Sequence, residues 1–298
     1  MAQSAPPSDA INKISISGTI RTAYAIVFGN LRDFFYAAAL PILLTWVIGI
    51  FAATSQSFSS AAALFLLMVM LIPHVLFAVA WNRFVLLGPV EGAPPLFPRW
   101  QIRHWRYLSV FLRMLALQLL AGFFLSSIAS GFVTWSNPDL GGAAIDPASI
   151  TMDMVPAEAK LAMAVVMGVL FYIYFRMSFA FAAVSVDEEY GLTHSWRHSK
   201  GQGLRILATI ALTSIPIGIV LFIVVWIIGT VFTPESTLQE ASEQTIPWTL
   251  FVLELIVVKP LQFLLFALFI TAIAEAFRQS TGWVPHKPPP PQVVNIEV

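Results

Sequence analysis

The chain has no cysteine. Disulfides, iron–sulfur clusters and thiolate zinc sites are excluded, while the redox compartment stays open. Charge is scarce too: Asp, Glu, Lys and Arg make up 11% of the residues and 58% are hydrophobic. A soluble domain carries about 25% charged residues, so the shortfall points to lipid as the solvent. Sixteen basic residues balance sixteen acidic ones, and no net field favours nucleic acid or an acidic partner. The first ten residues, MAQSAPPSDA, lack the basic start and apolar core of a cleavable signal. The first spanning helix is expected to act as its own insertion signal. No polar stretch between apolar runs exceeds about 25 residues, which leaves no room there for a soluble catalytic domain. Also missing are a Gly-rich phosphate loop, a GxSxG elbow, a pair of membrane-embedded aspartates and a polar relay along any helix. Enzyme chemistry is therefore not expected, and no cofactor or metal is implied.

What is present is apolar sequence in long runs. A spanning helix needs about 20 mostly apolar residues, and six stretches qualify: 34–54, 61–86, 107–135, 161–186, 204–232 and 247–277. Abundant Phe and Trp suit lipid-facing surface and interfacial belts. The expected fold is all-α: a polytopic integral membrane protein of six transmembrane helices in three hairpins, occupying residues 13–283. The N-terminus (1–12) is expected to be disordered. The end of the chain (284–298, with HKPPPPQVVNIEV) reads as a Pro-rich tail.

Orientation follows from Lys and Arg in the connections. Twelve fall on one side: Lys13, Arg21, Arg32, Arg83, Arg99, Arg103, Arg106, Arg197, Lys200, Arg205, Arg278 and Lys287. The opposite connections (55–60, 136–160 and 233–246) hold only Lys160 beside seven acids: Asp139, Asp146, Asp153, Glu158, Glu235, Glu240 and Glu243. Both termini are expected in the cytoplasm, in a bacterial inner membrane.

A basic amphipathic segment leads each hairpin. Before the first, Ile16, Ile20, Tyr24, Val27, Leu31 and Phe34 recur at helical spacing, with Arg21 and Arg32 off the stripe. RWQIRHWRYL precedes the third span and SWRHSKGQGLRIL the fifth. Interfacial helices on the cytoplasmic side are expected, and a threefold repeat would account for them, as would the general basicity of cytoplasmic flanks.

Charge inside a bilayer costs at least about 2.5–3.5 kcal/mol per residue, so each instance calls for a reason. At about 1.5 Å per residue, Arg113, Arg176, Lys259 and His74 fall at similar depth in the cytoplasmic half. Glu254 lies nearer the outer face and Glu275 at the inner rim. One reading is a cationic layer that binds an anionic lipid head group or ligand through His74, Arg113, Arg176 and Lys259. The other has Arg113 snorkelling and the deeper cations paired with Glu254, Glu275 or backbone carbonyls, such as that of Ile256, which Pro260 deprives of its donor. Pro41, Pro73, Pro216 and Pro260 read as packing features, with transporter hinges as the alternative. His194 and His198 share a helix face and could hold a metal with Asp187, Glu188 and Glu189, but an interfacial role beside Trp196 and Arg197 accounts for them better.

The stretch FRMSFAFAAVSVDEEYGLTHSWRHSKGQGLRIL (175–207) resembles the membrane domain of bacterial glycerophosphodiester phosphodiesterases and related six-helix inner-membrane proteins. That family shows an Arg at the end of the fourth helix, an acidic patch, then S-W-x-x-[ST]-K-G. Arg176, Asp187 to Glu189, and Ser195, Trp196, Ser199, Lys200 and Gly201 match the outline. AWNRFVLLGP (80–89) looks like a motif that ends the second helix in such proteins, and Arg278 matches a closing Arg. The resemblance implies a six-helix accessory or scaffolding domain. It carries over no catalytic residue, because the family's active site sits on a separate soluble barrel.

The sequence thus favours a non-enzymatic membrane scaffold or partner-binding subunit that engages anionic lipid. A transporter or lipid carrier using the cationic layer is the rival, and an intramembrane enzyme the third option. Membrane lipids, and possible protein partners or further copies of the chain, are the expected partners.

Overall fold

The structure, a computed structural model, describes residues 13–54, 60–92, 94, 99–136, 156–232 and 252–285. The disordered segment expected at 1–12, the tail beyond 285 and most of the outer connections lie outside the described residues. Nine α-helices are described: α1 Ile16–Gly29, α2 Leu31–Thr54, α3 Ser60–Glu91, α4 Ile102–Ser136, α5 Ala157–Met177, α6 Phe179–Ser185, α7 Leu192–His198, α8 Gly203–Phe232 and α9 Lys259–Thr281, the last entered through a π-helical turn, Glu254–Val258. No strand occurs among the described residues.

Six segments are long and apolar enough to cross a membrane: Leu31–Ala52, Phe65–Glu91, Ile102–Leu125, Lys160–Ser185, Gly203–Val231 and Glu254–Thr281. Each overlaps one expected span. Large apolar side chains point outward along them, among them Phe35, Phe65, Leu119, Phe123, Leu161 and Phe222. The buried set instead includes Thr45, Ser178, Ser185, Thr209, Thr213 and Thr271. Apolar outside with small polar residues inside is what a lipid solvent selects. The chain is a multi-pass membrane protein.

The hairpins α2–α3, α4–α5 and α8–α9 each pack together. Helix α9 is the hub, touching α1, α2, α3, α6 and α8. It can do so because Ala267, Thr271, Ala272, Ala274 and Ala276 are buried along it and let neighbouring backbones approach. Trp81 locks α3 to this hub: its Nε1–H donates to Thr271 Oγ1 at 2.9 Å and to the Ala267 carbonyl at 3.2 Å. Phe34 meets both Phe77 and Trp81 edge-on.

Three local features refine the sequence pattern. The fourth span tightens between α5 and α6 at Ser178, which keeps helical dihedrals while its amide donates to the Phe175 carbonyl at 3.3 Å. The Ser178 hydroxyl donates to the Phe175 carbonyl at 2.7 Å, competing with the backbone ladder. All seven residues of α6 are buried; with Ala180, Ala182 and Ala183 on it, this short helix plugs the space between α3, α4, α7 and α9. Second, RWQIRHWRYL is not a separate interfacial helix, since α4 runs unbroken from Ile102. Its charged side chains can reach the interface from a spanning helix. Third, α3 kinks at Gly88, whose φ of 81° suits glycine.

Helix α1 covers the first part of the expected segment, stopping at Gly29 so that Leu31 and Phe34 of the stripe fall on α2, and Ser15 caps it by accepting from the Gly18 amide. Its inward face is rotated one position from the apolar stripe, however. Thr19, Ala23 and Val27 are buried, whereas Ile16, Ile20 and Tyr24 of the stripe are only partly buried. Close packing on α8 and α9 favours the small side chains, and the larger ones flank the contact.

Candidate functional site

Arg176 is the most deeply held Lys or Arg among the described residues, 7% exposed at the end of α5. Its Nε–H donates to Ser199 Oγ at 3.1 Å and its Nη2–H to the Trp196 carbonyl at 2.6 Å. The guanidinium lies 3.6 Å from the Trp196 ring centroid, with the Tyr172 ring at 5.7 Å on α5 itself. The Ser195 hydroxyl returns a hydrogen bond to the Arg176 carbonyl at 2.7 Å. The Ser-Trp-x-x-Ser spacing therefore has a mechanical meaning: its three named residues wrap one arginine and fasten α7 to α5. Gly201, at φ +73°, turns the chain out of α7, and a Cβ at Gly203 would run into the Tyr172 ring.

Lys259 is paired differently. Its Nζ lies 3.2 Å from Glu254 Oε1 and 3.3 Å from Gln262 Oε1. Residues five apart on an α-helix point about 140° from each other. The π turn brings them together: the Lys259 amide donates to the Glu254 carbonyl, an i→i+5 bond. Pro260, which has no N–H, immediately follows and removes the α-pattern bond to Ile256. The proline that leaves a carbonyl without its donor thus accompanies the ion pair.

The remaining expected residues do not gather around Arg176, although His74 lies within electrostatic reach of Lys259. Arg113 stands exposed on α4. His74 Nδ1 lies 2.8 Å from the Met70 carbonyl; a carbonyl only accepts, so this nitrogen carries the proton. The His74 ring stacks on Phe263. Glu275 is buried and takes its partners from its own helix, Arg278 at 2.9 Å and Gln279 at 2.9 Å. Gln279 then accepts from the Ser15 amide, and Gln202 and Arg205 hold both backbone groups of Ile14. Glu275 thereby helps seat α1. Of the pairings weighed from sequence, Glu254 with Lys259 is present, and Glu275 serves the end of α9.

Three elements meet at a charge cluster on the face that carries both ends of the described chain. Asp187 Oδ2 sits 3.3 Å from Arg83 Nη1 and 3.0 Å from Arg103 Nη1. Asp187 has φ +65°, uncommon for a residue with a Cβ and best tolerated by Asp and Asn. Beside it, Arg103 Nε and Trp100 Nε1 are buried with no hydrogen-bond partner among the described residues. The Tyr190 hydroxyl lies 2.9 Å from His198 Nδ1, and burial raises that phenol above its ordinary range. Among the described residues no trio of His, Asp or Glu side chains gathers around His194 and His198.

A cavity of about 320 Å³ opens between α3, α4, α5, α6 and α9. Ten apolar side chains line it together with His74, Asn82, Tyr107 and Tyr174. Neither Arg176 nor Lys259 is among them. Sequence reasoning passed over Asn82 and the two tyrosines; the one available signal was an asparagine inside the apolar run AVAWNRF. Compared with family models, curated proteins and solved structures, the chain matches none.

Proposed function

We propose that this membrane protein is a non-enzymatic scaffold or partner-binding subunit whose basic face engages anionic lipid head groups. One observation carries the reading. On that face the described chain presents eleven basic residues (Lys13, Arg21, Arg32, Arg83, Arg99, Arg103, Arg106, Arg197, Lys200, Arg205 and Arg278) against six acids (Asp33, Glu91, Asp187, Glu188, Glu189 and Glu275). At its centre Arg83 and Arg103 share a single carboxylate, so two guanidinium groups carry more positive charge than Asp187 balances. A phosphate is the anion that guanidinium groups in such excess recognise best. Each basic residue near an anionic surface contributes about 1 kcal/mol of attraction, and in a bacterial inner membrane this face lies in the cytoplasm. The accessory role implied by the glycerophosphodiesterase-like outline agrees with this reading. A carrier working through the cationic layer has less support, because Arg176 is engaged by α7, Lys259 by Glu254 and Gln262, and neither lines the cavity.

The test is retention of phosphatidylglycerol against phosphatidylcholine by native mass spectrometry. The pair Arg83→Gln and Arg103→Gln should weaken the preference for the anionic lipid markedly. Asp187→Asn tolerates the same backbone, removes the competing carboxylate and should strengthen the preference. Unchanged retention in both, or weaker retention in Asp187→Asn, would overturn the assignment.

A further inference from the structure

We propose that the intramembrane cavity is a binding site for one single-chain lipid carrying an uncharged hydroxyl or amide head. This site is separate from the basic face, and its argument is independent of the head-group reading.

The first observation is shape. On α3 the lining residues run from Leu67 to Asn82, which at 1.5 Å per residue spans about 22 Å along the helix. A cavity that long and only about 320 Å³ in volume is a slot. Apolar cavities of about 150 Å³ accept benzene, so this one has room for roughly a dozen heavy atoms in a row. The second is access. Leu67, at one end, is 52% exposed on the lipid-facing surface, whereas Asn82, at the other, is 2% exposed. A chain can enter sideways from the bilayer and reach a polar end inside the bundle.

The third observation selects the head. Asn82 Nδ2 donates to the Ala78 carbonyl at 2.9 Å, which fixes the amide because a carbonyl cannot donate. Its Oδ1 is buried without a partner. A buried acceptor left unmade costs free energy, and a ligand O–H or N–H relieves it. Tyr107 and Tyr174 line the same slot, and neither phenol makes a hydrogen bond among the described residues. No Lys or Arg lines it, so an ionised head would be buried uncompensated. The donor must therefore be neutral.

The experiment uses the full chain in lipid nanodiscs with a diazirine-bearing dodecanol, the labelled peptides being mapped by mass spectrometry. Labelling should concentrate on α3 67–82 and α9 266–273. Unlabelled dodecanol should displace the probe about tenfold better than dodecane. Asn82→Leu should erase that difference, and Ile270→Trp, which fills the slot, should remove the labelling. Should Asn82→Leu fail to fold, the competitor series on the unaltered protein still decides. Labelling spread evenly over the lipid-facing helices, equal displacement by dodecane, or stronger displacement by dodecanoate would each overturn the proposal, the last by making His74 a cation for a carboxylate.

Discussion

Arg176 and Trp196 are joined twice: the guanidinium covers the indole at 3.6 Å and donates to the carbonyl of the same residue at 2.6 Å. One side chain thus satisfies a backbone acceptor near the end of a two-turn helix and packs flat on that helix's largest ring. Desolvated cation–π contacts are worth about 2 kcal/mol, and hydrogen bonds from a charged donor about 1.5–3 kcal/mol.

Arg176→Gln should therefore lower the melting temperature in detergent markedly while leaving anionic-lipid retention near that of the unaltered protein. Arg176→Lys should rescue little, because an ammonium cannot stack on the indole while donating in a fork to Ser199 and Trp196. Full rescue by Lys would show that charge alone matters there.

Glu254 and Lys259 form a pair that the π turn creates, so their substitutions should be coupled. Glu254→Gln leaves Lys259, only 19% exposed, without its counter-ion at the membrane and should destabilise by about 1–3 kcal/mol. Adding Lys259→Met should recover most of that loss. Thermal unfolding of the two single variants and the double variant measures the coupling directly; additive losses would remove the pair from the account.

Alkaline stability should report on Tyr190. Its phenol is buried, so the folded state holds the proton more tightly than the unfolded chain, whose tyrosines ionise near 10. A folded-state pKa raised above the unfolded value means the stabilisation is complete below pH 10 and is lost as pH rises beyond it. Tyr190→Phe should flatten that part of the stability curve relative to the unaltered protein. An unchanged alkaline slope would place the titration elsewhere.

Topology can be tested with single cysteines, since none must first be removed. Cysteines at Ser57, Asn137 and Ser242 should react with an impermeant thiol reagent in intact cells, whereas those at Ser8 and Gln292 should not. Labelling of the two ends from outside would reverse the orientation drawn from basic flanks.

Much of the architecture was legible in the sequence. Each apolar run became a spanning helix, and the amphipathic segment near the N-terminus became α1. The failures are instructive. RWQIRHWRYL reads as interfacial because it is basic and aromatic, yet it continues into α4, since long cationic side chains can snorkel. The run 161–186 has no proline to announce the tightened turn at Ser178, whose hydroxyl bonds the Phe175 carbonyl. The stripe on α1 was read by hydrophobicity, whereas the contact is made by small side chains.

The sequence by itself determined that six segments are apolar enough to span and that the basic flanks share one face, because hydropathy and flanking charge are local quantities that sum along the chain. Only the tertiary structure decided what the intramembrane charges do. A helix turns about 100° per residue, so an error of one position in register moves a side chain from the bundle interior toward lipid, and four residues at similar depth need not face one another. Arg176 went to α7, Lys259 to Glu254, Arg113 to the surface and His74 to the slot. Those partners come from how the helices rotate and where α5 ends, which follows from packing Ala, Ser and Thr against neighbours distant in sequence.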